Sequence, residues 1–370
     1  MRAVRAAIGI FFTLTFIFFT IPTSSAATII TLTEKPHRDL MGKFSDDSLA
    51  GLITPNGRLG QLVFAAPTGA KKWVIDTALI DDINAMSTPY KFGDGQTGTG
   101  SDLAKNWLAA LRTVTRFGDV EVMPYANADA VFLKRFAPSE LRFYCSAAQS
   151  KLELVLERAI LPCGEHTGGS AQISINQSLV DSYTMIRKET LLLSTAVPAG
   201  SLDQFRMELA KVFAVGLSKS ERSAISESAR LALESTYRNL MVVPGKYRLT
   251  SEHEKVPVTL INNYLQPVTV DLDLFPLNSR IRISNVKNIT IPAKSKIQIT
   301  VPVTVIASGS VEVLAQFKNS KGVEFGKSSA LSLNLSVISP RVTWFTTGSG
   351  ILLLLGATAQ SVRRIKKSRK

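Results

Sequence analysis

Along residues 247–338, apolar side chains fall at every second position in run after run. Val256, Val258 and Leu260 alternate in this way, and Val268, Val270, Leu272 and Leu274 do so across Thr269, Asp271 and Asp273. The pattern returns at Ile289 and Ile291, at Ile297 through Val305, at Val311, Val313, Ala315 and Phe317, and at Leu331, Leu333, Leu335 and Val337. Successive side chains of a strand point to opposite faces, so each run has one face for burial and one for water. Asn262-Asn263, Asn278-Ser279, Ser308-Gly309 and Lys321-Gly322 separate the runs at strand-plus-turn spacing. The spacing predicts an all-β, immunoglobulin-like antiparallel sandwich of about seven strands over residues 246–338. It has no cysteine and relies on packing alone. Such modules usually act as spacers or adhesion surfaces.

Upstream, over residues 28–200, the period changes. Trp73-Val74-Ile75 reads as a short strand closed by Asp76, with a helical stretch from Ala78 to Met86. A Gly-rich loop follows, then a helix from Ser101 whose Trp107, Leu108, Leu111 and Val114 form one apolar stripe. Val120 to Met123 reads as another strand, and Ile173 to Ile175 and Leu191 to Leu193 as two more. Strands alternating with helices imply a parallel sheet with crossover helices. About four strands cannot close an eight-stranded barrel, so the α/β part is expected to be an open or truncated, barrel-like parallel sheet. Residues 201–243 read as a helical segment, with capping-box spacings at Ser201 with Gln204 and at Ser218 with Glu221.

Both ends read as targeting elements. Residues 1–27 carry Arg2 and Arg5, an uncharged run rich in phenylalanine, Pro22 and small residues up to Ala26-Ala27, the layout of a signal peptide. Residues 342–362 hold no charge over 21 positions, about 31 Å of helix against a hydrocarbon core of about 30 Å. Six basic residues follow within 363–370. These features predict a transmembrane helix, a cytoplasmic basic tail and an extracellular body, the chain being a single-pass protein of the cell membrane that meets membrane lipid through its C-terminal helix. The two ends hold eight of the 43 basic residues and none of the 29 acids, which leaves a body of only +6 and weighs against nucleic acid as a partner.

Few residues offer chemistry. Cys145 and Cys163 are the only cysteines and, in an exported chain, are expected to form a disulfide that contributes about 3 kcal/mol through loop closure. His37, His166 and His253 belong to no paired-histidine motif, so neither a metal nor a cofactor is expected. The glycines of residues 93–100 lack the Lys-Ser/Thr of a phosphate-binding loop. Asp76 closes one expected strand and Asp129 follows another, at the edge where α/β sheets bind ligands. Either acid has two possible uses. With Glu121 in reach, Asp76 and Asp129 or Glu121 would suit acid–base work on a sugar, while as helix caps they would only hold Ala78 and Val131 in place.

Trp73 to Asp82, the Trp107-Leu108-Ala109-Ala110-Leu111 helix, Gly118-Asp119-Val120 leading to Met123 through Asp129, and Val256 to Asn263 together resemble an uncharacterised actinobacterial family of secreted, C-terminally membrane-anchored envelope proteins. The resemblance covers most of residues 50–370 and implies a polysaccharide-deacetylase-like domain ahead of an immunoglobulin-like domain, a single span and a basic tail. Thr77 stands where that family usually has Pro, and Asn127-Ala128 where it tends to have Asp-Pro. These departures weigh against carrying a catalytic role onto Asp76 or Asp129. The function expected is non-catalytic, the binding of cell-wall glycan or envelope proteins. The rival is a carbohydrate-active enzyme, a glycan hydrolase or deacetylase.

Overall fold

The computed structural model describes residues 27–164, 172–336 and 340–367. Of the expected signal peptide only residue 27 falls among them, and His166 and residues 368–370 lie outside them.

The first body is built on a three-stranded parallel sheet. Its strands are β1 (Thr28–Leu32), β2 (Lys71–Ile75) and, after the two-residue strands β3 (Lys91–Phe92) and β4 (Gln96–Thr97), β5 (Asp119–Val122), in the order β1-β2-β5. The register stacks Ile30 on Trp73 on Val120 and Leu32 on Ile75 on Val122, all at most 4% exposed. Each such side chain contributes about 1.5–3 kcal/mol by burial. Helices α1 (Ser48–Leu52), α2 (Arg58–Phe64), α3 (Thr77–Met86) and α4 (Ser101–Val114) precede β5, and α5 (Ala130–Phe136) and α6 (Pro138–Leu156) follow it. The apolar stripe of α4 buries Ala104, Trp107 and Leu111, and the Trp107 indole donates to the Leu59 carbonyl of α2 at 3.0 Å. The opposite sheet face carries Ile29, Thr31, Lys72, Val74 and Glu121.

This sheet differs from the expected one at both ends of its sequence. Thr28–Leu32 supplies a strand the sequence did not announce. Leu191 to Leu193 lie inside α7 (Gln177–Ser194), and Ile173 and Ile175 pack against the core from irregular backbone. An apolar triplet is too short for its period to distinguish strand from buried helix. Two further helices follow, α8 (Asp203–Glu208) and α9 (Lys219–Tyr237). Ser218 and Glu221 form a reciprocal capping box on α9, whereas Ser201 makes none, α8 starting after Leu202 without a side-chain cap.

Cys145 of α6 is bonded to Cys163, with Cα atoms 5.7 Å apart and a sequence separation of 18. The bridge ties α6 to the segment that runs along β5, where the Leu161 amide donates to the Val120 carbonyl at 2.7 Å. Constraining a loop of this length in the unfolded chain is worth about 3 kcal/mol. Cys145→Ser should therefore lower the denaturant midpoint by an amount equivalent to about 3 kcal/mol, and an unchanged midpoint would show that the bridge adds no stability.

The second body is a β-sandwich. Its strands are β6 (Leu240–Val242), β7 (Gly245–Leu249), β8 (His253–Asn262), β9 (Val268–Pro276), β10 (Ile281–Ile283), β11 (Val286–Ile291), β12 (Ser295–Val305), β13 (Gly309–Lys318) and β14 (Glu324–Leu335). One sheet runs β10-β12-β8-β6 and the other β11-β9-β13-β14-β7. The pairs are antiparallel apart from β7, which lies parallel to β14. The chain changes sheets between β6 and β7 at Pro244, which has no N–H to continue a ladder. The first strand thus starts at Leu240, within residues 201–243, which read as helical. Buried Asn262 holds a corner, its amide donating to the carbonyls of Gln266, Ile291 and Pro292. Leu193, Val197 and Leu202 join the sandwich core, and Asn319 donates to the Thr195 hydroxyl at 2.7 Å, which fastens the two bodies together.

The expectation of a membrane-spanning helix is corrected. Residues 342–362 lie in α10 (Pro340–Lys367), and among the described residues no helix is long and apolar enough to cross a membrane. A charge-free run of spanning length with six bases after it is still no span, because neither freedom from charge nor basic flanks make a helix apolar. Thr343, Thr346, Thr347, Ser349, Thr358, Gln360 and Ser361 dilute the helix, and its strongly apolar part is the short stretch of residues 351–355. The single-pass topology, the cell-membrane placement with an outer body and inner tail, and the lipid contact through the C-terminal helix all rested on that span and fall with it.

Candidate functional site

The carboxyl edge of the parallel sheet carries Asp76, with Asp129 nearby. β2 stops at Ile75, and Asp76 takes the extended backbone of an N-cap with its Oδ1 accepting the Ala78 amide at 3.0 Å. It is fully buried, and among the described residues Oδ2 has no hydrogen-bond partner. Beside it the turn Tyr125–Asn127 holds two residues in the left-handed region, Ala126 at φ 61° and Asn127 at φ 43°. For side-chain-bearing residues this conformation is uncommon and costs free energy. It brings the amides of Ala126 and Asn127 toward the Asp76 carboxyl. Burial pushes the Asp76 carboxyl up to about 8, against the pull of the Ala78, Ala126 and Asn127 amides and with the charge of Asp82 adding to the rise. At neutral pH it carries a proton.

Behind Asp76 lies a buried cluster of charges. Asp82 accepts the His37 amide at 2.9 Å and the Arg38 Nε at 2.9 Å. Lys211, with none of its surface exposed, places Nζ 2.6 Å from Glu208 Oε2, 3.9 Å from Asp82 Oδ1 and 3.1 Å from the Arg38 carbonyl. Burial alone would lower its pKa, but the charges of Glu208 and Asp82 outweigh that and hold it above the ordinary lysine value. The Tyr125 hydroxyl contacts Asp81 at 2.8 Å and Glu208 at 3.0 Å, and Lys151 closes the group onto Asp81 at 2.6 Å. Burial keeps the Tyr125 phenol protonated, with Glu208 and Asp81 adding to the effect. With Asp76 neutral, the acids Asp81, Asp82 and Glu208 face the bases Arg38, Lys151 and Lys211 one for one. Such balance is what allows charges to remain buried.

Asp129 is an N-cap as well. Its Oδ1 accepts the Phe132 amide at 2.9 Å, and its Oδ2 the amides of Gln172 and Ile173 at 2.6 and 3.1 Å. Glu121, on the outer face of β5, meets Lys72 at 2.6 Å and accepts the Gly164 amide at 3.0 Å. Asp129 and Glu121 line one cavity of about 570 Å³ on that face, shared with Ile29, Val74 and Met123, and Asp76 does not line it. The Thr33 hydroxyl, buried and without a hydrogen-bond partner among the described residues, borders the same cavity. The structure therefore brings together two of the three acids singled out from the sequence.

The metal that a deacetylase-type domain would use finds no fitting donor set. Among the described residues no group of three or more His, Cys, Asp and Glu is placed to hold an ion. The His37 imidazole meets Asp46 at 3.4 Å, and His253 lies on the sandwich near Thr304. Sequence reasoning passed over Asp81, Asp82, Tyr125, Glu208 and Lys211. Only Glu208 and Lys211, opposite charges three residues apart within an apolar stretch, left a local trace.

A family model matches residues 164–369, more than half of the chain. The chain belongs to DUF6049, a family of unknown function. The matched part holds α7 to α9, the sandwich and α10, while the parallel sheet precedes it, as does the lining of its cavity apart from Gln172 and Val215. No curated protein matches the chain. Among solved structures, the C. elegans MSP family member WR4 is similar at 11% identity and a TM-score of 0.21, covering 26% of this chain and 97% of that one. A PapD-like domain of human CEP192 is similar at 10% identity and a TM-score of 0.21, over 27% of this chain and 87% of that one. Salmonella alpha-2-macroglobulin gives 11% and 0.22, over 26% of this chain and 7% of that one. Likenesses this distant carry no argument about function.

Proposed function

We propose that this DUF6049 chain is a non-catalytic binding protein that holds wall glycan or another envelope protein in cell-wall biogenesis, with the outer face of the parallel sheet as its contact surface. The observation that carries this reading is the commitment of the acids. Asp76 and Asp129 cap helices and Glu121 pairs with Lys72, while the cavity beside them offers apolar side chains and the unpartnered Thr33 hydroxyl. Apolar walls with a few placed polar groups are the usual make-up of a ligand site. The Cys145–Cys163 bridge supports an oxidising compartment, and the resemblance to secreted actinobacterial envelope proteins with a deacetylase-like domain supports glycan as the ligand class.

Purified chain incubated with insoluble wall glycan should co-sediment with it saturably and leave the polymer's mass unchanged. Val74→Trp, which fills the cavity, should weaken that binding at least 10-fold. Failure to sediment would remove wall glycan as the ligand. The rival, a carbohydrate-active enzyme, is favoured by Glu121 and Asp129 sharing one cavity. Glycan turnover lost in Glu121→Gln or Asp129→Asn would put it first.

A further inference from the structure

A second cavity, of about 650 Å³, lies between α5 and α6 and is closed on one side by the Cys145–Cys163 bridge. It differs from the sheet-face cavity in its charge. Lys134, Arg135 and Arg142 line it, and no acid does among the described residues. All three are exposed and have no acidic partner among the described residues. Of the two acids nearest in sequence, Glu140 is turned inward and bound by Arg187 at 3.1 Å and Arg206 at 2.8 Å, and Asp129 caps α5, so neither pairs with them. Lys134 and Arg135 stand in the last turn of α5, where the helix favours a cation. Arg142 does not share that excuse, because it stands near the amino end of α6, the positive end of a 19-residue helix.

Apart from Ser146 and Gln149, the other side chains lining the cavity are apolar or belong to the disulfide. Val131, Leu141 and Pro162 form its floor with the disulfide. One face of α6, carrying Arg142, Cys145, Ser146 and Gln149, is turned to the cavity, while Tyr144, Ala148 and Leu152 are buried in the core on another. A volume of this size lies within the range of about 300–1,000 Å³ typical of small-molecule sites. Three cations gathered on an apolar hollow call for a ligand with an anionic head and an apolar body.

We propose that this cavity binds a single-chain anionic amphiphile, its tail against Val131, Leu141, Pro162 and the disulfide and its phosphate or carboxylate head held by Lys134, Arg135 and Arg142. The site adjoins the sheet-face cavity, with which it shares Pro124, Ala130 and Val131, but its three cations line it alone and it does not depend on the glycan-binding reading.

The test is calorimetric titration of the full chain with dodecyl phosphate below its micelle concentration, with 1-dodecanol and inorganic phosphate as the two half-ligands. The expected result is one saturable site for dodecyl phosphate, with dodecanol and inorganic phosphate each bound at least 10-fold more weakly. Arg142→Gln should weaken binding about 10-fold and the triple glutamine variant of Lys134, Arg135 and Arg142 more. Because these side chains are exposed and have no acidic partner among the described residues, the variants should melt with the wild type. Raising salt with the wild-type chain tests the same contact without any mutation, and should weaken binding. Equal binding of dodecanol, undiminished binding by the triple variant, inorganic phosphate bound as tightly as the amphiphile, or no saturable site would each overturn the proposal.

Discussion

Lys211→Met should cost about 3–5 kcal/mol of stability, read as a lowered denaturant midpoint. The lysine is wholly buried, and methionine fills similar space, so little of the loss would come from packing. What goes is the charge that meets Glu208 at 2.6 Å and Asp82 at 3.9 Å. Arg38 can still hold Asp82, but Glu208 would keep only the Tyr125 hydroxyl and the Gln204 amide, two neutral donors, against its negative charge. Breaking a buried pair from one side leaves an uncompensated ion, whereas removing both sides is often close to neutral. The double variant Lys211→Met with Glu208→Leu should therefore recover most of the loss. A single variant that loses less than about 1 kcal/mol, or a double variant no better than the single, would show that the cluster does not depend on its ion pairs.

How much of this was legible follows from how local each signal is. The strands of the sandwich announce themselves because burial on one face repeats every second residue, as at Val268, Val270, Leu272 and Leu274, all at most 3% exposed. The capping box at Ser218 and Glu221 is legible because all its parts lie within four residues. β1 was missed because Thr28–Leu32 directly follows a long apolar stretch that reads as a leader. The span expected in α10 fails because length without charge and a basic flank do not supply hydropathy, and hydroxyls, glycines and an amide fill much of residues 342–362. The charge cluster was invisible because Arg38, Asp82, Tyr125, Lys151 and Glu208 meet only once the sheet and its helices are folded. An acid that follows a strand reads the same whether it caps a helix or faces a substrate. Asp76 and Asp129 stayed ambiguous until their amide partners were visible.

Asp76→Asn should stabilise the chain, and the gain should grow as pH rises. The carboxyl has an ordinary value of 3.8 and is pushed up to about 8 when folded, chiefly by burial. Between those values the folded state holds a proton that the unfolded state has released, so stability falls with rising pH. The contribution is fully present below about pH 4 and is lost as pH climbs through about 8. The slope is at most about 1.4 kcal/mol per pH unit, or up to about 4 kcal/mol between pH 5 and pH 8. Asparagine is as good an N-cap as aspartate and can keep the bond from the Ala78 amide, while having nothing to ionise. Denaturant midpoints for both proteins at pH 5, 6, 7 and 8 should show the variant ahead by a margin that widens at each step. Every other titrating group is common to the two chains, so their difference isolates Asp76. A margin that stays constant with pH would mean that Asp76 is ionised in the folded protein, and the one-for-one balance of the buried charges would then have to be redrawn with an extra negative charge at the head of α3.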